Sequence, residues 1–449
     1  MDTNRRGTWL PTWSLKEDGV IAPDERLPWG QTIVVGVQHV GAMFGATALA
    51  PIIMGFDPNV AIFFSGIGTL IFFLMVGGRV PSYLGSSFSF IAVVIAATAY
   101  TGSGPNPNIA DALGGIIAAG LLYAVIGVVV ILAGTRWIGL LMPPVITGAV
   151  VAVIGLNLAG LAVKSISATG FDTVVGLVTI VTVGLIAVYA EGLVRRLPIL
   201  LGGVAGYVAY FVGANMFGLA KPISFAAIES AAWFGLPNFV SPTFTTHAIG
   251  LIAPVALILA AENLGHIKAI GIMTGRNLDA DIGRAFLGDA IATVVSASGG
   301  GTGVTTYAEN MGVMAVNRIY STLVFVVAGV FAILLGMSPK FGAVILTIPG
   351  PVIGGLSVVV YGMIAATAGR IWVENNVDFS DARNLITVAV VLTAGAGDLT
   401  LHLAGFTLGG IGSATFGAII LYYLLGRKER SGDLGGMKAK AQSIGVGDF

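Results

Sequence analysis

The sequence predicts an all-α polytopic membrane protein, its fourteen transmembrane segments arranged as two inverted seven-span repeats. Three observations carry this. Of 449 residues, 56% are apolar and only 10% charged, where soluble domains carry roughly 25% charge. Fourteen apolar stretches approach the roughly 20 residues a helix needs to cross a bilayer. A proline-led motif recurs about half a chain length apart.

Composition also excludes functions. Mean hydropathy is +0.93, incompatible with an ordinary cytosolic enzyme or a disordered chain. The 22 Lys and Arg balance the 22 Asp and Glu, so nothing suggests nucleic acid as a partner. The chain has no cysteine, hence no disulfide framework, thiolate metal site or cysteine nucleophile. The partner that composition does require is the lipid bilayer.

Residues 1–28 are polar, lack an apolar signal-peptide core, and read as a cytoplasmic N-terminal segment. The apolar stretches follow at 31–54, 59–77, 84–101, 112–133, 138–163, 173–190, 197–220, 246–266, 284–298, 304–317, 321–337, 342–366, 384–397 and 404–426. Those at 84–101, 284–298 and 304–317 are short and rich in Gly, Ser and Thr. From Arg427 to Phe449 the chain is polar and Gly-rich and reads as a flexible cytoplasmic tail.

Basic residues test the count independently. With both termini inside, only Lys164, Lys221 and Lys340 of the 22 fall outside, as the positive-inside rule requires. Removing any one middle span would scatter basic loops over both faces. The repeat agrees: Pro144-Val145-Ile146-Thr147-Gly148 returns as Pro351-Val352-Ile353-Gly354-Gly355, an offset of 207 residues. The copies lie in the fifth and twelfth spans. Seven spans per unit set the halves upside down, the arrangement common in alternating-access transporters.

Ionisable groups at membrane depth are functional candidates by default. Five stand out: His39, Glu262, His266, Asp289 and Glu309. No Lys or Arg is placed near mid-membrane. Glu262 and His266 are four residues apart and share a helix face, where a carboxylate and an imidazole can exchange a proton. A metal reading is weak, because the first histidine of His-Glu-x-x-His is missing. His39 suits a core histidine as well as a supporting role, and Asp289 suits a brace near the site.

The stretch Gly299-Gly300-Gly301-Thr302-Gly303-Val304-Thr305-Thr306-Tyr307-Ala308-Glu309 is too rich in Gly and Thr to begin as a helix. It predicts an extended lead-in and then a half-helix from about Glu309. Gly85-Ser86-Ser87-Phe88-Ser89-Phe90 is the matching break in the first half. Short extended stretches are therefore expected in spans 3 and 10, where irregular backbone is tolerated if it lines a cavity. Helix packing explains scattered glycines, but not a glutamate in the same turn. Two carboxylates, free backbone N–H groups and the nearby aromatics Phe88 and Tyr307 suit a planar uncharged ring that alternates N–H and C=O.

These residues carry a resemblance. Glu309-Asn310-Met311-Gly312 with Arg318, Gln38-His39, and Ala261-Glu262-Asn263-Leu264-Gly265-His266 are similar to landmarks of the nucleobase–ascorbate transporter family, also called nucleobase:cation symporter-2. The resemblance covers roughly residues 24–427. It implies a core domain from spans 1–4 and 8–11 (29–135 and 223–338) and a gate domain from spans 5–7 and 12–14 (136–222 and 339–426). It further implies a homodimer in the inner membrane and proton-driven uptake of a nucleobase, with H+ as coupling ion and no organic cofactor. By position, Glu262 and Glu309 would bind the base, Phe88 and Tyr307 would stack on it, Ala308 would donate its backbone N–H, and Ala46 would line the pocket. His266 would relay protons together with the two glutamates, and His39, Asp289 and Asn310 would support the site.

Glu309, where related branches have Gln, resembles the uracil type. Asn317 and Ala308 depart from the usual Thr and Gly, which leaves the choice between pyrimidine and purine open. The expectation is proton-coupled uptake of uracil or a related pyrimidine. The alternatives are a purine (xanthine or urate) symporter of the same family and an anion carrier of the related sulfate or bicarbonate fold. An intramembrane enzyme would need a nucleophile–base or metal constellation, which the sequence does not supply.

Overall fold

The computed structural model describes residues 9–101, 104–192, 194–403 and 406–426, so the expected tail at 427–449 lies outside the described residues. The described chain is mostly helical, as lipid demands of a backbone that must satisfy its own hydrogen bonds. Among the described residues eight helices are long and apolar enough to cross a membrane. They are Trp29–Met54, Pro58–Met75, Ile109–Ala133, Pro144–Ile166, Gly170–Tyr189, Pro198–Met216, Thr246–Thr274 and Gly350–Glu374. Shorter apolar helices occupy Phe88–Thr98, Ala382–Ala396 and Gly410–Leu425. Ile282–Ser298 is a regular helix despite its small residues, so only the other two short segments are broken.

Helix boundaries follow local chemistry. Asp57 caps Pro58–Met75, its side chain accepting the Asn59 N–H at 2.8 Å, with Pro58 in the first turn. Gly55 ends the preceding helix at φ +74°, and a Cβ there would meet Asn106 and Tyr100 at 2.7 Å. The twelfth apolar stretch, expected at 342–366, is corrected. Pro339–Leu346 is a separate short helix turned 79° from Thr322–Gly336, and the long helix begins at Gly350. Hydropathy runs on through this stretch, but Pro349 and Pro351 force a break and a restart. Arg136–Leu141 is likewise separated from Pro144–Ile166 by Met142 and Pro143.

Small residues set the packing. The two copies of the repeated motif open the helices Pro144–Ile166 and Gly350–Glu374, which lie against each other. A Cβ on Gly155 would come within 2.3 Å of the Tyr361 carbonyl oxygen, and one on Gly66 within 2.4 Å of that of Gly329. Close backbone approach of this kind is the usual basis of helix association in lipid.

Residues 9–28 cross the ends of several helices. Ile21 is 0% exposed, donates its N–H to Arg318 O and accepts from Tyr320 N. The Trp9 indole donates to Leu74 O at 2.8 Å and lies under the guanidinium groups of Arg79 and Arg284. Trp13 donates to the Thr322 hydroxyl at 3.0 Å. This segment therefore braces the chain just beyond the Ala308–Asn317 half-helix.

Candidate site at two broken helices

The expected breaks meet each other. Leu84–Ser86 and Val304–Thr306 form an antiparallel pair, with Leu84 opposite Thr306, Gly85 opposite Thr305 and Ser86 opposite Val304. The ladder continues past both ends, from Tyr307 N to Tyr83 O at 3.0 Å and from Ser87 N to Gly303 O at 2.9 Å. Each strand leads into a half-helix, through a 3-10 turn at Phe88–Phe90 in the first case and directly into Ala308–Asn317 in the second. The glycines before the second strand are packing sites. A Cβ on Gly299 or Gly303 would strike the rings of Phe64 or Phe90, at 2.1 and 2.2 Å. Gly300 alone of the cluster has positive φ, at +98°.

Glu309 occupies the first turn of Ala308–Asn317 and is half-buried, while Ala308 is exposed. The N-cap of this half-helix, Tyr307, contributes no side-chain cap. Glu262 is half-buried on Val255–Thr274, a helix that touches Ala308–Asn317. The Ser89 hydroxyl approaches Glu262 Oε2 at 3.5 Å, which ties the glutamate to the first break. Phe88 is half-buried against the main hydrophobic core, of which Ala46, 1% exposed, is a part. Phe88, Ala308 and Glu309 thus stand where the half-helices begin, and Glu262 reaches the first break through Ser89.

Tyr307 departs from expectation. Its ring is 3% exposed, and its hydroxyl donates to Ser86 O at 2.8 Å and accepts from the Thr47 hydroxyl at 3.1 Å. The ring fills the space that a Cβ on Gly85 would need, 2.4 Å from its Cζ. Tyr307 braces the two breaks together and offers no free ring face for stacking.

The supporting residues form two networks. His266, half-buried, sets Nδ1 2.8 Å from the Thr306 hydroxyl. Among the described residues Glu262 and His266 are not joined by a hydrogen bond; each turns to a different break. The Thr306 hydroxyl donates to Asn263 Oδ1, and the Asn263 amide donates to Asp289 Oδ2 and, at 2.8 Å, to the Tyr123 hydroxyl. Asp289 is 0% exposed, and among the described residues its second oxygen has no hydrogen-bond partner. In the other network the buried Asn310 amide donates to His39 O at 3.0 Å, with His39 Nδ1 at the same distance. The His39 ring lies 4.6 Å from that of Phe325.

Sequence reasoning missed Asn263, Thr306, Tyr123 and Thr47. Asn263 carried a signal, lying between two singled-out residues, and so did Thr306, inside the Gly/Thr run. Tyr123 and Thr47 carried none, since each is an ordinary residue of an apolar helix.

Residues 30–404 match the family model described as "Permease family". The chain is 62% identical over 423 residues to the Escherichia coli (strain K12) protein named "Putative pyrimidine permease RutG", covering 93% of this chain and 96% of that one. It is 38% identical over 432 residues to the "Uracil permease" of Bacillus caldolyticus, covering 92% and 97%. It is 37% identical over 405 residues to the "Uracil permease" of Escherichia coli (strain K12), covering 88% and 91%. Two solved structures share the fold at low identity. One is the transmembrane domain of the cyanobacterial bicarbonate transporter BicA (TM-score 0.60, 16% identity, 88% of this chain and 97% of that one). The other is SLC26A9 (TM-score 0.63, 12% identity, 88% and 64%). The chain is a multi-pass membrane permease and belongs to the nucleobase–ascorbate transporter family.

Proposed function

We propose that this permease takes up uracil or a related pyrimidine nucleobase in symport with protons across the inner (plasma) membrane, with both termini cytoplasmic. The observation that carries the reading is a glutamate at each break: Glu262, approached by the Ser89 hydroxyl, and Glu309, in the first turn of Ala308–Asn317. Two carboxyl groups accept the ring N–H groups, the Ala308 N–H donates to a ring carbonyl, and Phe88 covers one face. The relatives named pyrimidine or uracil permease support the same substrate class.

The proton route in this reading uses Glu262, Glu309 and His266, with His266 held by Thr306 and Glu262 by Ser89. Transport is alternating access: a core domain (29–135 and 223–338) carries the site past a gate domain (136–222 and 339–426). Counting each broken segment as one span gives fourteen, in two inverted sets of seven. The antiparallel meeting of Leu84–Ser86 with Val304–Thr306 supports inversion, as does the pairing of the two motif-bearing helices. In the membrane the unit is a homodimer.

The bicarbonate and SLC26A9 neighbours share the fold alone. A glutamate in the first turn of the half-helix opposes an anion at that N-terminus, where such carriers would favour neutral or basic groups. The test is uptake of labelled uracil by proteoliposomes of the purified protein, with unlabelled competitors. Competition by thymine but not by sulfate supports the reading. Competition by xanthine or urate alone would move the substrate to purines, and no uracil uptake would overturn it.

A further inference from the structure

We propose that Thr69 and Thr293 are positioning residues for the substrate site. Each hydroxyl locks the outer edge of one central strand, and through it the half-helix that follows. This rests on the nucleobase-binding reading above and deepens it.

The premise is the ladder's alternation. Tyr83 and Ser87 bond toward Tyr307 and Gly303, and Gly85 lies opposite Thr305. Leu84 and Val304 must then turn their backbone groups away from the partner strand. Water cannot reach them there, and an unmet N–H or C=O at membrane depth is costly. In both places one threonine meets the need. Thr69 accepts the Leu84 N–H at 2.9 Å and sets its own hydroxyl 2.8 Å from Ser65 O and 3.4 Å from Leu84 O. Thr293 accepts the Val304 N–H at 3.2 Å and donates to Val304 O at 3.1 Å.

Both threonines are 0% exposed, so neither hydroxyl serves solvent or lipid. Thr69 precedes its strand residue by 15 positions and Thr293 by 11, so the device recurs in space without recurring in sequence spacing. Ala308 follows Val304 by four residues and Phe88 follows Leu84 by four. Displacement of either strand therefore moves a group of the site directly. Neither threonine touches the base; each acts through the backbone.

The test compares Thr69→Val, Thr293→Val and Thr293→Ser with the wild type. Valine keeps the shape and removes the hydroxyl, whereas serine keeps the hydroxyl. Two quantities are read well below each variant's Tm: the Kd for labelled uracil, and hydrogen–deuterium exchange in peptides covering 84–86 and 304–306. Both valine variants should weaken uracil binding by about tenfold, the loss of one buried hydrogen bond, and speed exchange at their own strand. Thr293→Ser should stay within about threefold of the wild type. Wild-type Kd and exchange in the valine variants would overturn the proposal, as would a serine variant as impaired as the valine one. A lowered Tm with unchanged Kd would also overturn it, since that is a structural role only. If the wild type fails to bind uracil, the substrate reading falls, while exchange at the two strands still decides the role of the threonines. Should Thr293→Val not yield folded protein, Thr69→Val and Thr293→Ser carry the comparison.

Discussion

The two half-helices are built alike and finished differently. Both follow a three-residue strand, and both end on a non-glycine residue in the left-handed region, Ala99 at φ 49° and Arg318 at φ 56°. The first is capped: the Ser87 hydroxyl accepts the Ser89 N–H at 3.3 Å, and no acid stands in its first turn. The second has no side-chain cap, exposes Ala308 and carries Glu309 in its first turn. One end satisfies itself and presents a ring and a hydroxyl. The other has Glu309 in its first turn, an acid that the helix dipole favours there. Two breaks of like build thus differ in how the first turn is finished.

The largest expected effect comes from the acidic side. Glu262→Gln should abolish uphill accumulation of the base, while binding weakens by about 10- to 100-fold, as for a lost hydrogen bond to a charged group. Robust accumulation by that variant would remove Glu262 from the coupling role.

Next in size, Gly85→Val presses a side chain into Tyr307 and Thr47, which a Cβ alone would approach to 2.4 and 2.5 Å. A cost of about 1–3 kcal/mol in stability is expected, read as a lowered thermal midpoint in detergent. An unchanged midpoint would mean that the two breaks are not held together as described.

Tyr307→Phe sharpens the comparison most economically. It keeps the ring and removes a hydroxyl bonded to Ser86 O and Thr47. A bracing tyrosine should lose about 1–3 kcal/mol of stability and show weaker uracil binding. If the ring stacks on the base, binding should survive the substitution intact. The smallest effect belongs to Ser87→Ala, about 1 kcal/mol for a lost cap. Uracil affinity should change less there than in any Glu309 variant, and an equal change would erase the asymmetry between the ends.

Much of this was legible in the sequence. Apolar runs located the helices, and Gly, Ser and Thr beside Glu309 and Phe88 marked both breaks, because Gly and small hydroxyl residues favour a helix only weakly. What escaped depends on contacts between distant segments. The Tyr307 hydroxyl finds Thr47, 260 residues away, so an aromatic beside a break could be read as a stacking face when it is a brace. Residues 9–28 read as a plain polar segment, yet Ile21 is buried by a bridge to Ile319. The twelfth span was misplaced because hydropathy sums side chains and ignores what Pro349 does to the backbone.

The most direct measurement is uptake of labelled uracil into proteoliposomes with and without an imposed inward proton gradient, for wild type and Glu262→Gln in parallel. Wild-type protein should accumulate uracil above the external concentration only with the gradient, lose that accumulation to a protonophore, and outperform a variant that fails to accumulate at all. Equal, non-concentrative entry with and without the gradient, or full accumulation by Glu262→Gln, would contradict a proton symporter built on this glutamate pair.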